Sequence, residues 1–266
     1  MSDLVNFTVN DGIAHVKLNR PEKLNALTIE TLDQLIATAG ELRKDRTLRA
    51  VIISGEGDSF CAGLDFATVT KKPLAIPLSL IPLPWRGTNK FQEACWAWRR
   101  LPVPVIAAIH GHCFGGGIQL ALAADFRMAT PDAELSVLEG RWGLIPDMSG
   151  VQALSELVGI DTAKRLTMTA ARITGKEAHD LGLVTELAAD PVAAAEVFAR
   201  ELATKSPDAL AAAKRLFNST WNSSPRATFA RERSEQVLLL AGANAKVARA
   251  AAFKKVEPAY KPRARR

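Results

Sequence analysis

Two short apolar runs, Ala50 to Ser54 and Val105 to His110, each lead directly into a loop punctuated by glycine. Runs of this length, bounded by turn residues, read as buried strands. The first enters Gly55-Glu56-Gly57-Asp58-Ser59-Phe60-Cys61-Ala62-Gly63-Leu64-Asp65, and the second enters Gly111-His112-Cys113-Phe114-Gly115-Gly116-Gly117. Helical periodicity lies between and beyond them. Strands separated by helices favour an α/β fold with parallel pairing.

The rest of the chain fits that layout. Val5 to Asn10 and Ala14 to Leu18 read as a hairpin around Asn10-Asp11-Gly12. Ile29, Leu32, Leu35, Ile36, Ala39 and Leu42 recur on one face and predict a helix from about Thr28 to Arg43. Further helical patterns begin near Gly117 and cover Val151 to Leu157, Asp161 to Met168 and Gly175 to Leu181. From Pro191 onward the strand patterns stop. Pro191 to Lys205, Pro207 to Phe217, Pro225 to Leu240 and Asn244 to Phe253 read as helices, several opening on proline in the first turn. The expected division is an α/β core over residues 1–190 and a helical region over 191–266, which would cover the active site or pack on a neighbouring subunit. Residues 66–100, rich in Pro, Leu and Trp, read as irregular. Trp85, Trp96 and Trp98 there either cover the core or form a hydrophobic substrate wall.

Composition narrows the function classes. At 266 residues and 48% hydrophobic content, the chain can bury a sizeable core. A net charge of +6 owes much to Lys254, Lys255, Lys261, Arg263, Arg265 and Arg266, a tail expected to be solvated. With one tyrosine and no interleaving of basic and aromatic residues, nucleic acid is not expected as a partner. Cys61, Cys95 and Cys113 are odd in number without CxxC spacing, which suits free thiols in a reducing compartment. The apolar run from Pro73 to Pro84 is broken by proline and too short to span a bilayer. With Asp3 early and no basic-then-apolar run in the first residues, a signal segment is not expected. A cytoplasmic protein without a membrane span is expected.

The glycine loops carry the chemistry. Neither contains the phosphate-binding GxxxxGK[ST] pattern. Glycine there either permits close helix–strand packing or lets a substrate carbonyl reach two backbone N–H groups, an oxyanion hole. Losing one such donor raises a barrier by about 3 kcal/mol.

Five segments, taken together and in order, decide between these uses. "LNRPEKLNAL" (Leu18 to Leu27), "SFCAGLD" (Ser59 to Asp65), "PVIAAIHGHCFGGGIQLALAADFRMA" (Pro104 to Ala129), "EGRWGLIPDMSG" (Glu139 to Gly150) and "RITGKEAHDLGLV" (Arg172 to Val184) span nearly the whole chain. The sequence resembles the crotonase (enoyl-CoA hydratase/isomerase) superfamily. The resemblance implies a spiral core of ββα units, a C-terminal helical trimerisation region, and homotrimers or hexamers built as dimers of trimers. It implies acyl-CoA thioester substrates, no metal, and no cofactor beyond the coenzyme A carried by the substrate. It also implies oxyanion donors at the amides of Ala62 and Gly116. Lys23, Leu24 and Ala26, with Ala62, Gly63, Leu64 and Asp65, are expected beside coenzyme A. Phe253 fits a C-terminal coenzyme A contact, with Lys254 or Lys255 standing in for a lysine where Val256 lies.

The reaction depends on the acids near the thioester. Hydratases of this family place two glutamates on one water. Here Glu139 matches the second, while Gln119, two residues past the glycine triplet, replaces the first. Glutamine can hold a water but cannot carry a proton. Glu139 followed eight residues later by Asp147 resembles the dienoyl-CoA isomerase branch, although that branch also has an acid where Gln119 stands. In plain enoyl-CoA isomerases a single glutamate at the Glu139 position can shuttle the proton alone. Asp147 reads either as a catalytic partner or as a helix cap. The catalytic set is therefore Glu139, Asp147 and Gln119, with double-bond isomerisation ahead of hydration or of acyl-CoA binding without turnover. His110 and His112 lack a third metal ligand, Cys61 lacks a histidine partner, and Asp125 is expected to be structural.

Overall fold

The computed structural model describes residues 3–69 and 74–264. Of the residues named above, Pro73, Arg265 and Arg266 lie outside these ranges. The main sheet contains β1 (Val5–Asn10), β2 (Ile13–Leu18), β3 (Ala50–Gly55), β4 (Val105–Ile109), β6 (Phe126–Ala129) and β9 (Glu186–Leu187), in that spatial order. A second sheet joins β5 (His112–Phe114), β7 (Glu134–Ser136) and β8 (Ile173–Thr174). Among the described residues, only β1 with β2 and β7 with β8 pair antiparallel; every other ladder is parallel. The β1–β2 hairpin turns through Asp11 and Gly12, both with positive φ, a geometry that matches the natural strand twist.

Helices α1 (Ile29–Leu42), α2 (Phe66–Val69), α3 (Ala75–Leu80) and α4 (Lys90–Arg99) precede β4. Helix α5 (Gly116–Leu122) follows β5, and α6 (Gly150–Leu157), α7 (Ile160–Thr169) and α8 (Gly175–Asp180) complete the spiral. The remaining helices are α9 (Pro191–Ala203), α10 (Pro207–Thr220), α11 (Pro225–Ala241) and α12 (Ala243–Lys254). Thr28 starts α1 because its hydroxyl accepts from the Thr31 N–H in a reciprocal capping box.

Central strands β3 and β4 are buried on both faces, which explains their unbroken apolar runs. Val51, Ile53, Val105 and Ala107 face the larger core with α1, α4 and α5. Ile52, Ile106 and Ala108 face the other side, where Ala195 and Ala199 of α9 close over them. Helix α9 thus packs on the sheet itself. Asp125 serves structure as expected: its carboxylate accepts from the Val105 N–H and pairs with buried Lys214 of α10 at 2.6 Å.

Two expectations are corrected. Residues 66–100 are not simply irregular, since α2, α3 and α4 lie within them. Trp98 is buried in the core, Trp85 is fully exposed, and Trp96 stacks against the Arg99 guanidinium. The basic tail is not wholly solvated either. Arg263 is completely buried, donating to the carbonyls of Leu48 and Asp45, while its own backbone pairs with Arg46. These backbone acceptors pin the tail to the loop before β3.

Candidate active site

The two glycine loops lie side by side because their backbones pair. Phe60 and Cys61 donate to the carbonyls of His110 and His112, and Phe114 donates back to Cys61. Gly63, at φ 93°, brings the loops into contact. A Cβ there would meet the Phe114 carbonyl at 2.8 Å and the Gly116 nitrogen at 3.5 Å.

This pairing corrects one expected oxyanion donor. The Ala62 N–H is already committed to the Leu24 carbonyl at 2.9 Å. Leu64 instead forms a parallel bridge with Leu27, in which the flanking Gly63 carbonyl and Asp65 N–H make the bonds. A parallel bridge turns the middle residue's own N–H to the opposite side. Leu64 therefore keeps an uncommitted amide on the cavity wall, opposite Gly116, whose N–H begins α5 and has no intrahelical acceptor. A Gly63→Ala variant is expected to lower kcat by about 10²–10³-fold by displacing the Leu64 amide. Steady-state kinetics at saturating acyl-CoA checks this; a change below threefold would reject the loop's role.

Between the loops lies a cavity of about 430 Å³. Phe66, Ile76, Leu80 and Phe91 form one wall, and Leu138, Trp142, Leu144 and Met148 another. Phe66 and Trp142 touch across it, with ring centroids 5.2 Å apart. Sequence reasoning looked for this wall in the segment that supplies Phe66 to Phe91, but selected the tryptophans there. None of the three lines the cavity.

Glu139 and Asp147 are the only ionisable side chains on the cavity wall among the described residues. Glu139 sits in a 3-10 turn, Leu138–Trp142, and is 9% exposed. Its Oε1 accepts from Gln119 Nε2 at 2.6 Å, while buried Oε2 has no hydrogen-bond partner. Burial pushes the Glu139 carboxyl above its ordinary value. The bond from Gln119 pulls it back, and the nearby Asp147 charge pushes it further. Asp147 does not cap α6: Ser149 holds that position, and no side chain caps the helix. Although the Asp147 side chain is open at the cavity mouth, the surrounding walls disfavour its charge and raise its carboxyl too. Gln119 is buried behind the wall, its Oε1 accepting from the N–H groups of Met148 and Gly150.

The other named residues divide. Lys23 and Leu24 are exposed on the 3-10 turn Pro21–Lys23 and its end, with Ala26 half-buried beside them. Asp65 is held by Arg20 and Thr68, which keep its carboxyl below the usual range despite the opposing effect of burial. Phe253 is 88% exposed on α12 and does not line the cavity. The sequence reading overlooked Asn25, which holds the first segment against the first glycine loop. It accepts from the Arg20 N–H and donates to the carbonyls of Glu56 and Ser59. Its signal was a polar residue within "KLNAL". Cys61 is buried, with its thiol pushed up to about 12 by burial, which removes it as a nucleophile. His112 bonds Ser59, and His110 meets the Gly57 carbonyl. No group of three or more metal-ligating side chains occurs among the described residues.

The fold and this cavity can be set beside known proteins. The enoyl-CoA hydratase/isomerase family model matches residues 8–261. The chain belongs to the enoyl-CoA hydratase/isomerase family. Among its relatives is YngF of Bacillus subtilis (strain 168), an enoyl-CoA hydratase/isomerase by name, 37% identical over 82% of this chain and 83% of that one. The mitochondrial Delta(3,5)-Delta(2,4)-dienoyl-CoA isomerase of Mus musculus is 35% identical over 76% of this chain and 64% of its own length. A crystal structure of an enoyl-CoA hydratase from Polaromonas sp. JS666 superposes with a TM-score of 0.88 at 30% identity, over 97% of this chain and 99% of that one. The family's crotonase fold is thus shared over nearly the whole length, C-terminal helices included. Among the described residues, no helix is long and apolar enough to cross a membrane.

Proposed function

We propose that this family member moves a double bond in an unsaturated acyl-CoA, with a 3-enoyl or 3,5-dienoyl chain in the apolar cavity. The observation that carries this reading is the pair Glu139 and Asp147 on the wall of one cavity, with an amide standing where a second glutamate would serve hydration. The thioester oxygen would lie between the amides of Leu64 and Gly116, so charge developing on it as the α-proton leaves is stabilised. Glu139 Oε2 takes that proton. The resulting conjugated enolate regains a proton further along the chain, at the γ-carbon from Glu139 itself or, for a dienoyl chain, at the distal carbon from Asp147. After the latter transfer, the proton held by Glu139 passes to Asp147 through solvent and restores the starting state. The second route needs one carboxyl ionised and the other protonated, and repulsion between the two charges, which raises the Glu139 carboxyl while Asp147 is ionised, disfavours ionising both at once. No cofactor beyond the substrate's own coenzyme A enters this scheme. Exposed Phe217 on α10, Trp221 at its C-cap, and Phe229, Val237, Leu238 and Leu240 on α11 fit self-association into the expected trimer, which light scattering would read directly as mass.

Incubation with 3-enoyl-, 3,5-dienoyl- and 2-enoyl-CoA, with product identification, tests the proposal. Isomerised products are expected. Robust hydration of 2-enoyl-CoA without isomerisation would overturn it in favour of a hydratase. Asp147→Asn is expected to reduce dienoyl conversion by about 10²–10⁴-fold and to spare 3-enoyl conversion. Equal losses on both substrates would remove Asp147 from the proton path.

A further inference from the structure

Gln119 does not line the cavity, yet both ends of its amide are committed. Nε2 donates to Glu139 Oε1 at 2.6 Å, and Oε1 accepts from Met148 N–H at 2.8 Å and Gly150 N–H at 2.9 Å. The two backbone donors determine which way round the amide sits, since a flipped amide would aim N–H at N–H. The surrounding turn is shaped to this oxygen. Ser149, between the two donors, has φ 73°, so alternate N–H groups converge as they do in anion-binding backbone nests. A Cβ on Gly150 would meet Gln119 Oε1 at 2.6 Å, so residue 150 leaves room for the amide only as glycine. Gln119 is 1% exposed.

Resting on the proton-transfer reading above, we propose that Gln119 is a positioning residue that holds Oε1 of Glu139 as a hydrogen-bond acceptor and so confines proton exchange to Oε2. A proton on Oε1 would have to displace the amide N–H, and the amide cannot turn its oxygen toward Glu139 without abandoning two backbone donors. Oε2, the partnerless oxygen, is left to take and return the substrate proton. Glutamate at position 119 would keep both backbone bonds through one oxygen. Its other oxygen would face Glu139 Oε1, where the two carboxylates could coexist only by sharing a proton. The pair would then titrate as a unit. Gln119 thus keeps Glu139 free of a directly bonded carboxyl, so that Asp147 across the cavity is the one carboxyl whose charge acts on it.

The test compares Gln119→Glu and Gln119→Met with the parent in the full-length protein. One readout is the pH profile of kcat/KM for 3-enoyl-CoA. The other is an infrared titration of the Glu139 carboxyl in free protein, assigned by the loss of its band in Glu139→Gln. Gln119→Glu is expected to move the carboxyl titration and the acid limb upward by about one pH unit or more. Gln119→Met is expected to lower kcat by a larger factor than it raises KM, because it frees Glu139 Oε1, while the Met148 and Gly150 N–H groups it also releases lie behind the wall. If Gln119→Met does not fold, Gln119→Glu, which retains both backbone bonds, carries the test. An unchanged carboxyl titration in Gln119→Glu overturns the proposal whether or not the protein turns over substrate. If Glu139→Gln leaves turnover intact while the Gln119→Glu titration shifts, the proton-transfer reading fails and the positioning role stands.

Discussion

Replacing Glu139 by glutamine is expected to lower isomerase turnover by about 10²–10⁴-fold or more, while acyl-CoA affinity changes less than tenfold. The substitution keeps the volume of the side chain and leaves an oxygen able to accept from Gln119 Nε2, so the wall and its anchor survive. What disappears is the carboxylate lone pair that takes the α-proton in the proposed isomerisation, and an amide cannot supply it. Because burial holds the Glu139 carboxyl above its ordinary value, the parent enzyme should already lose kcat/KM as pH falls through a value higher than that of a solvent-exposed glutamate. The base must be ionised, so the loss lies on the acid side. Kinetics with purified protein, paired with calorimetry on a non-reacting acyl-CoA, separates the two effects. Turnover within tenfold of the parent would exclude Glu139 as the base.

Lys214→Met is expected to cost about 3–5 kcal/mol of stability, the usual penalty for removing one partner of a buried ion pair. The Lys214 ammonium lies beneath α10, bonded to Asp125 at 2.6 Å and to the carbonyls of Val103 and Trp98 at 2.9 and 3.3 Å. Burial lowers its pKa, and the Asp125 charge opposes that fall. Methionine would fill the space but leave the Val103 carbonyl without its donor and the Asp125 carboxylate without its cation, while the Trp98 carbonyl keeps the Leu101 N–H. Denaturant unfolding at fixed protein concentration measures the effect. A second change, Asp125→Asn, should recover part of the loss, because it removes the unpaired charge while an amide oxygen can still accept from Val105. A single-variant loss below 1 kcal/mol would show that the pair does not anchor α10 to the core.

The α/β layout was legible from local pattern. β3 and β4 are apolar throughout because α9 covers one face and the larger core the other, and strands of that kind announce themselves in sequence. The loop order was legible for a related reason, since glycines cluster where two backbones must approach closely. Glu139 was found because its type and its distance from the glycine triplet are properties of the chain alone.

Other features were decided only by the assembled molecule. Ala62 and Leu64 sit in the same loop, and nothing local distinguishes their amides. Leu24 and Leu27, brought alongside from a distant segment, occupy one and leave the other available. The cavity wall is similar: Phe66, Ile76, Leu80 and Phe91 meet Trp142 and Met148 from more than fifty residues away, so periodicity carries no trace of their contact. Arg263 looks like one of several tail cations until backbone carbonyls from the Asp45 to Leu48 loop surround it. Sequence determined that this chain would bring two glycine loops and one glutamate together in an enoyl-CoA hydratase/isomerase fold. Tertiary structure decided which amides remain free, which oxygen of Glu139 lacks a partner, and which groups Gln119 bonds, because hydrogen bonds between distant segments make those assignments.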